Sequence, residues 1–215
     1  MLLAFDTSSP SVSVALLGGD AGDEVLVELT SEQEMRHGEQ LAPLIEQVLE
    51  QADATRLDLT AIGVGVGPGP FTGLRVGLVT ARTLAFVLDL PVYGVCSLDA
   101  LAVQAVASGV LAEPFVVATD ARRKEVYLAA YDPRGTRLSG PTVAKPDTVA
   151  TELPVVGEGA LLYPEHFPRP AGPVRASAGW LGRAIAHEAV ELLDPEPLYL
   201  RRPDAEVPGT PKRVS

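Results

Sequence analysis

The first candidate for chemistry is a short polar segment near the start of the sequence. Asp6, Thr7 and Ser8 directly follow the apolar run Leu2–Phe5. An aspartate with hydroxyl groups at the end of a strand can hold a metal-bound phosphate. The same residue types are typical of an Asx or Ser/Thr turn that connects two strands of a hairpin. The residues alone leave both interpretations open.

A second candidate, Gly67–Arg75, reads GPGPFTGLR and lies between an apolar strand and a long helix. Free N–H groups at the start of a helix attract anions, so Gly67, Gly69 and Thr72 could contact a phosphate beside the first segment. The segment lacks the ending of a Walker loop, and its glycines do not have the spacing of the dinucleotide fingerprint. A rigid turn that aims the following helix is the alternative.

The helix predicted over Phe71–Leu88 carries more apolar surface than one sheet can cover. Small residues recur every four positions on one of its faces, at Gly73, Gly77, Ala81 and Ala85. Two glycines inside a helix cost about 2 kcal/mol relative to alanine, which indicates close packing, here against another helix. We expect the sheet to cover one side, and another helix together with a second protein chain to cover the other. A deeply buried core helix is the alternative.

Metal-ligating and nucleophilic residues are sparse. The histidines, His37, His166 and His187, form neither a His-x-x-x-His nor a His-Glu-x-x-His pair, so we expect no metal site. Cys96 is the only cysteine and follows an apolar strand, which favours a small core residue over a nucleophile. No Gly-x-Ser-x-Gly elbow occurs. We therefore predict no catalytic residue.

Charge and composition argue against direct contact with nucleic acid or a membrane. The 215 residues include 17 basic and 28 acidic ones, and the net charge of −11 repels phosphate. The basic runs at 122–124, 201–202 and 212–213 are short, and we interpret them as solvated edges. No stretch approaches the roughly 20 apolar residues of a membrane span, and the start lacks the features of a secretory signal. We expect a cytoplasmic protein.

The order of the predicted elements indicates an α/β protein with two related lobes. Strands are predicted at 2–5, 12–17, 24–29, 62–66, 92–95, 115–119, 125–131, 136–143 and 155–156. Helices are predicted at 39–49, at 71–88, at 97–107 with Ser97 as the N-cap, and at 180–193. Each half opens with three strands, and the first of these ends on an aspartate, Asp6 or Asp120. We predict lobes at 1–109 and 110–203 and a disordered tail at 204–215.

The chain resembles the bacterial TsaB family, also called YeaZ, in five segments that occur in the same order. They read AFDTSSPSVSVAL, RHGEQLAPLIEQVL, GVGVGPGPFTGLRVGLVTARTLA, TDARRKEVYLAAYD and PLYLRRPDAE. The resemblance covers nearly the whole chain except its extreme C-terminus. It implies two lobes of the actin-like, ribonuclease-H-like (ASKHA) architecture, with mixed sheets flanked by helices. It also implies a role in making N6-threonylcarbamoyladenosine (t6A) in tRNA.

The resemblance implies a non-catalytic subunit. In that family the paralogue TsaD transfers the threonylcarbamoyl group and binds metal through a helix with paired histidines. The similar helix here keeps only His37, with Glu34 three residues earlier and Leu41 four residues later. TsaB-like proteins support TsaD, act with the ATPase TsaE, and form homodimers through the same two helices. The resemblance thus implies tRNA contact only through the complex, no cofactor in the isolated chain, and ATP or ADP at the complex interface.

Site residues follow from the same resemblance. The residues expected to bind a partner are His37, Leu41, Leu44, Ile45, Val48, Leu74, Arg75, Val76, Val79 and Thr83. A degenerate nucleotide site would comprise Asp6, Thr7, Ser8, Gly67, Gly69 and Thr72. Pro70 and Gly38 stand where the family commonly has serine, and the lost hydroxyl at Pro70 weakens a phosphate contact, so we expect a collapsed cleft between the lobes. The alternative is an ATP-binding transferase or a glycoprotease-like enzyme of the same fold.

Overall fold

The fold is that of a computed structural model, which describes residues 1–109 and 111–201. The strands are β1 (Leu2–Asp6), β2 (Ser13–Gly18), β3 (Glu24–Thr30), β4 (Ala61–Gly67), β5 (Val92–Cys96), β6 (Phe115–Asp120), β7 (Val126–Tyr131), β8 (Arg137–Ala144) and β9 (Val155–Val156). The helices are α1 (His37–Gln51), α2 (Phe71–Leu88), α3 (Ser97–Ala107), α4 (Gly159–Leu162) and α5 (Ala178–Ala186), with 3₁₀ turns at Arg56–Asp58 and Pro146–Thr148.

The first sheet has five strands in the order β3-β2-β1-β4-β5. β1 pairs antiparallel with β2 and parallel with β4, and β5 continues the parallel side. The opening meander forms because turn-forming residues separate short apolar runs. All residues of β1 and β2 are buried, which requires helices on both faces of this sheet.

A second, four-stranded sheet repeats this plan on a smaller scale. Its order is β8-β7-β6-β9, and β6 pairs antiparallel with β7 and parallel with β9. The repetition confirms the predicted α/β fold with two ribonuclease-H-like lobes. The predicted boundary near Gly109 lies between α3 and β6. The predicted tail at 204–215 and the basic residues Arg202, Lys212 and Arg213 lie outside the described residues.

Helices α1 and α2 cover one face of the first sheet. Leu3 and Ile62 of the sheet, Leu41 of α1, and Leu74 and Leu78 of α2 share one buried cluster. By length and composition alone α2 could cross a membrane, contrary to the expectation that no segment approaches such a length. Its inner residues pack on the sheet, and the core helix of a folded domain passes the same test.

Helix α5 packs on the first sheet, which differs from the predicted division into lobes. The sequence interpretation assigned residues 110–203 to the second lobe, yet Leu181 and Ile185 of α5 join Leu2 and Leu17 of the first sheet in one buried cluster. The chain returns because α1 and α2 leave the other apolar face of the first sheet open.

The predicted length of this helix was also wrong. The helix ends at Ala186 rather than continuing to residue 193. Leu193 instead forms an antiparallel bridge with Gly94 in β5, so residues after the helix extend the edge of the first sheet.

Helix α3 lies between the two sheets. Leu98 and Leu101 share a cluster with Phe115 and Tyr131 of the second sheet, whereas Ala100 belongs to the cluster with α5. Both lobes are therefore packed on the same helix.

Candidate functional site

The outer side of α2, together with Ala42 and the half-buried Leu44 of α1, forms an apolar surface that the described part of the chain leaves uncovered. On α2, the exposed fractions are 63% for Val79, 88% for Phe86 and 70% for Val87. Helical spacing places these residues on one stripe with the half-buried Val76. We call this surface the helix-pair face, with members Ala42, Leu44, Val76, Val79, Thr83, Phe86 and Val87.

A shallow groove of about 600 Å³ runs beside this face. Its walls include Leu49 of α1, Leu84 of α2 and Leu57 of the first 3₁₀ turn. Leu57 is 84% exposed, and the capping box between Thr55 and Asp58 holds its turn in place. A leucine therefore projects from a fixed turn beside an apolar groove. Sequence reasoning missed Leu57 because an isolated apolar residue in a polar loop carries no periodic signal.

The structure divides the predicted partner residues into two groups. Five lie in the core: His37, Leu41, Ile45, Val48 and Leu74. The prediction that these side chains contact a partner was wrong, because the strongest apolar stripe of each helix faces its own sheet. The other five are exposed or half-buried: Leu44, Arg75, Val76, Val79 and Thr83. Their contact with a partner stays a prediction.

Arg75 already has partners within the chain. Its guanidinium lies 3.6 Å from the centre of the Phe71 ring, and its Nε donates a hydrogen bond of 3.2 Å to the Tyr199 hydroxyl. Phe71 and Tyr199 also stack, with ring centres 5.2 Å apart. Arg75 therefore fastens the segment around Tyr199 to the start of α2, a contact that no local pattern could predict.

The two glycines of α2 lie against the turn after β1, and Gly73 also faces His37 at the start of α1. Thr7 Oγ1 donates a hydrogen bond of 2.9 Å to the carbonyl oxygen of Gly73. A Cβ atom at Gly73 would clash with the Thr7 carbonyl, and one at Gly77 would clash with Thr7 Oγ1. The glycines allow α2 to touch the turn after β1, so the closest approach at these positions is between helix and loop.

Asp6 is buried and its carboxylate oxygens are occupied by the chain itself. Oδ1 accepts hydrogen bonds from the Ser8 amide (2.7 Å) and the Ser8 hydroxyl (2.5 Å). Oδ2 accepts one of 2.5 Å from the Ser97 hydroxyl. Ser97 was predicted to be the N-cap of α3. It is instead the first residue of that helix, and Cys96 is the N-cap. Of the two interpretations of this segment, the Asx turn is the one observed.

The glycine-proline segment packs directly against that turn. A Cβ atom at Gly69 would clash with the Ser8 carbonyl, and Gly67 has a φ of 96°, which favours glycine. The structure thus brings together Asp6, Thr7, Ser8, Gly67 and Gly69, whereas Thr72 is exposed on α2. The space left in the cleft beside them is about 20 Å³, enough for about one water molecule and too small for a phosphate.

A larger cavity of about 360 Å³ lies at the outer end of the cleft. Phe71, Tyr127 and Tyr199 give it aromatic walls. Arg122 and Arg201 also line it, and they are paired with Asp120 and Glu125 respectively. Burial raises the pKa of the Tyr127 phenol, which therefore stays neutral. The volume lies within the range of small-ligand sites. The sequence interpretation treated Arg122 as a solvated edge and missed this cavity, because its walls come from distant segments.

A buried polar cluster joins α3 to the second sheet. The Tyr131 hydroxyl donates a hydrogen bond of 2.7 Å to Asp99 Oδ1, and Arg137 Nη1 lies 3.2 Å from Asp99 Oδ2. Burial raises the pKa of the Asp99 carboxyl, against the opposing effects of Tyr131 and Arg137. Burial also raises the pKa of the nearby Cys96 thiol to about 12. This cluster has no sequence signature, and its role is structural.

Each histidine contacts a different partner in the chain. His37 Nε2 lies 2.7 Å from the Ser9 carbonyl, His166 is 3.6 Å from Glu165, and His187 is 3.0 Å from Asp23. Within residues 1–109 and 111–201, no group of three or more His, Cys, Asp or Glu side chains is placed to hold a metal ion.

Comparison with known proteins gives a family. Residues 24–178 match the family model described as "TsaD: tRNA N6-adenosine threonylcarbamoyltransferase". A solved structure, "YeaZ from Pseudomonas aeruginosa", superposes with a TM-score of 0.74 at 30% identity and covers 93% of this chain and 99% of that one. The two chains thus share their fold over nearly their whole lengths.

Sequence relatives point the same way. An uncharacterized protein of Mycobacterium leprae is 39% identical over 96% of this chain, and the match spans 56% of that protein. The tRNA threonylcarbamoyladenosine biosynthesis protein TsaB of Bacillus subtilis is 36% identical over 60% of this chain and 54% of its own length. The chain thus spans about half the length of these relatives. Together with the solved structure and the family model, these matches show that the chain belongs to the TsaB (YeaZ) family, a branch of the TsaD-like group.

Proposed function

We propose that this protein is a non-catalytic subunit that pairs with the threonylcarbamoyl transferase TsaD and supports t6A formation in tRNA. The observation that carries the proposal is the helix-pair face, where Val79, Phe86 and Val87 are each more than half exposed. Large apolar side chains in one exposed stripe are typical of protein interfaces. The occupied Asp6 carboxylate and the narrow cleft support a subunit without its own phosphate chemistry.

Charge around the helix-pair face supports a partner that is built like this chain. α1 exposes Glu39, Glu46 and Glu50, whereas α2 exposes Arg75 and Arg82. Two such faces related by a twofold or pseudo-twofold axis would set the acidic helix of one against the basic helix of the other. A TsaD-like paralogue and a second copy of this chain both meet that requirement, so we expect a homodimer when TsaD is absent.

The decisive experiment compares charged substitutions on and off this face. We expect Val79→Glu and Phe86→Glu to weaken binding to the cognate TsaD at least tenfold, because each places a carboxylate in an apolar contact. The matched control is Leu138→Glu, since Leu138 is 62% exposed but lies on β8 of the second lobe. Binding would be measured by co-purification and by calorimetry.

The outcomes separate an interface from a general loss of structure. Circular dichroism should show all three variants folded. Equal binding by Val79→Glu, Phe86→Glu and the Leu138→Glu control would overturn the proposed interface. The role in modification is tested by assaying t6A in tRNA with this protein, TsaD and TsaE, omitting each in turn. Full modification without this protein would overturn the proposed role.

The remaining parts of the proposal concern the complex. We propose that TsaE joins the pair, that tRNA is contacted only through the complex, and that the assembly works in the cytoplasm. The net charge of −11 supports indirect contact with tRNA, because a partner must supply the positive surface.

An ATP-binding enzyme is the second candidate function, and the cavity of about 360 Å³ favours it. Its three aromatic side chains suit a purine, and Arg122 and Arg201 would meet phosphates only after exchanging their partners Asp120 and Glu125. We propose that ATP or ADP occupies this cavity when TsaD closes it at the interface, and not in the isolated chain. Calorimetry with ATP and magnesium, on the isolated chain and on its complex with TsaD, would distinguish an ATP-binding enzyme from a non-catalytic subunit. Binding by the isolated chain would favour an enzyme, and binding by the TsaD complex alone would favour the subunit.

A further inference from the structure

The cleft between the lobes is closed over a floor formed by α3. Leu98 and Leu101 line its floor, Ser9 lies on the side of the first lobe, and Asp120 lies on the side of the second. Since α3 packs on both sheets, it can serve as the axis about which the lobes move. The width of the cleft then depends on contacts at its open side.

Arg175 makes contacts of this kind with both lobes. Its Nη1 donates a hydrogen bond of 2.7 Å to Ser11 Oγ, and its Nη2 donates one of 2.7 Å to Glu34 Oε1. Its Nε lies 3.8 Å from Glu158 Oε2. Ser11 and Glu34 belong to the first lobe, whereas Glu158 precedes α4 in the second. One guanidinium therefore lies between carboxylates of the two lobes.

Glu158 connects Arg175 to the far wall of the cleft. Its Oε1 accepts a hydrogen bond of 3.3 Å from the Asp120 amide at the end of β6. A weaker contact nearby, 3.5 Å from Arg122 Nη2 to Met35 Sδ, also crosses between the lobes. A displacement of Arg175 would therefore remove the charged link between Glu158 and the first lobe and leave the weaker contact of Arg122 with Met35.

Solvent exposure limits the strength of the ion pairs that Arg175 forms with Glu34 and Glu158. The side chains of Arg175 and Glu34 are 37% and 54% exposed, and that of Glu158 is 17% exposed. Water and salt weaken ion pairs at such positions, so each contributes modestly. Contacts of this strength hold an arrangement reversibly rather than locking it. The neighbouring apolar packing on α3 keeps the lobes together when they are broken.

We propose that Arg175 is a latch that holds the two lobes closed and keeps the inner part of the cleft, where about 20 Å³ is free, too narrow for a ligand. Release of the latch separates the turn at Ser8–Pro10 from the turn after β6 without unfolding either lobe. The latch does not involve the helix-pair face, which lies on the outer side of α1 and α2. A partner or ligand that competes for Arg175, Glu34 or Glu158 would open the cleft.

Hydrogen exchange tests the latch directly. We expect Arg175→Ala to speed amide exchange at residues 8–9 and 119–122 about tenfold, which corresponds to about 1.4 kcal/mol. The matched control is Arg169→Ala. Arg169 forms a similar pair of 2.6 Å with Glu113, but both residues belong to the second lobe. Equal exchange in the two variants at both segments would overturn the proposal.

A distance measurement gives an independent result. Spin labels at Glu32→Cys and Leu161→Cys would report the separation of the lobes, and the native Cys96 is buried and would not react. We expect Arg175→Ala, and 1 M salt on the unsubstituted protein, to broaden the distance distribution. If Arg175→Ala does not fold, Glu158→Gln removes the second-lobe contact alone and should broaden it likewise. An unchanged distribution in the folded variants would contradict a latch.

Discussion

Thr7 and Gly77 touch across the boundary between the first loop and the second helix, so that no side chain fits between them. A Cβ atom at Gly77 would clash with the Thr7 hydroxyl oxygen, and that hydroxyl is held by its hydrogen bond to the Gly73 carbonyl. The position of α2, and with it the helix-pair face, therefore depends on the absence of a side chain at residue 77.

We predict that Gly77→Ala lowers the free energy of unfolding by about 1–3 kcal/mol, because the added methyl overpacks a site that cannot relax. The matched control is Gly38→Ala in α1, where a Cβ atom would meet only Val76 Cγ2 at 4.0 Å. That change should be neutral or stabilise by up to about 1 kcal/mol. Urea unfolding of both variants measures the difference, and equal effects would contradict the packing described for Thr7.

Charged substitutions at Leu41 and Val79 test which of the predicted partner residues are buried and which are exposed. Leu41 is 1% exposed and Val79 is 63% exposed. We predict that Leu41→Glu destabilises the fold by about 3 kcal/mol or more, since it leaves an unpaired charge in the core. Val79→Glu should change the free energy of unfolding by about 0.5 kcal/mol or less. Thermal unfolding of both variants is the measurement, and similar losses would show that Val79 is not at the surface.

The raised pKa of Asp99 predicts that the free energy of unfolding depends on pH. Burial raises the pKa of this carboxyl in the folded protein, so the folded state holds the proton more tightly than the unfolded chain does. The stability gained from this proton is complete below the unfolded pKa of about 3.9 and is lost as the pH rises through the folded pKa. Relative to Asp99→Asn, the unsubstituted protein should therefore lose unfolding free energy as the pH rises from about 3.

Asp132→Asn provides the control of opposite sign. The backbone amide of Thr136 lowers the pKa of the Asp132 carboxyl. Its contribution to stability is therefore present above the unfolded pKa and lost as the pH falls through the folded pKa. Urea unfolding at a series of pH values compares the two variants with the unsubstituted protein. Parallel pH profiles for both variants would be inconsistent with the buried position of Asp99.

Cys96 should resist alkylation in the folded protein. Its pKa of about 12 leaves almost no thiolate at pH 8, and the side chain is fully buried. We expect no iodoacetamide adduct by mass spectrometry until urea unfolds the chain, when one adduct should form. Rapid labelling without denaturant would mean that α3 separates from the sheets more readily than its packing indicates.

Local signals were sufficient to predict most elements. The bounds of α2 agree with its prediction because Pro70 precedes the helix and Asp89 ends it in the left-handed conformation, with a φ of 55°. The strands could be predicted because turn residues separate them. The end of α5 could not, since the bridge between Leu193 and Gly94 depends on a strand about a hundred residues earlier in the sequence.

The candidate site was predictable in outline and not in detail. The sequence of α2 showed that this helix has too much apolar surface for one sheet, but periodicity alone does not tell which stripe faces the sheet. Leu74 and Val79 were therefore treated alike, although one is buried and the other exposed. The hydrogen bond from Ser97 to Asp6 and the contact of Arg75 with Tyr199 join distant segments, so no local pattern reveals them.

The return of α5 to the first sheet has a consequence for biosynthesis. β1 is synthesised long before α5, so one of its faces stays bare until residues Ala178–Ala186 have been made. Leu2 and Leu17, which pack beneath that helix, are accessible to chaperones until then. A premature stop codon between β5 and α5 would therefore harm the N-terminal lobe, even though it leaves every strand of that lobe intact.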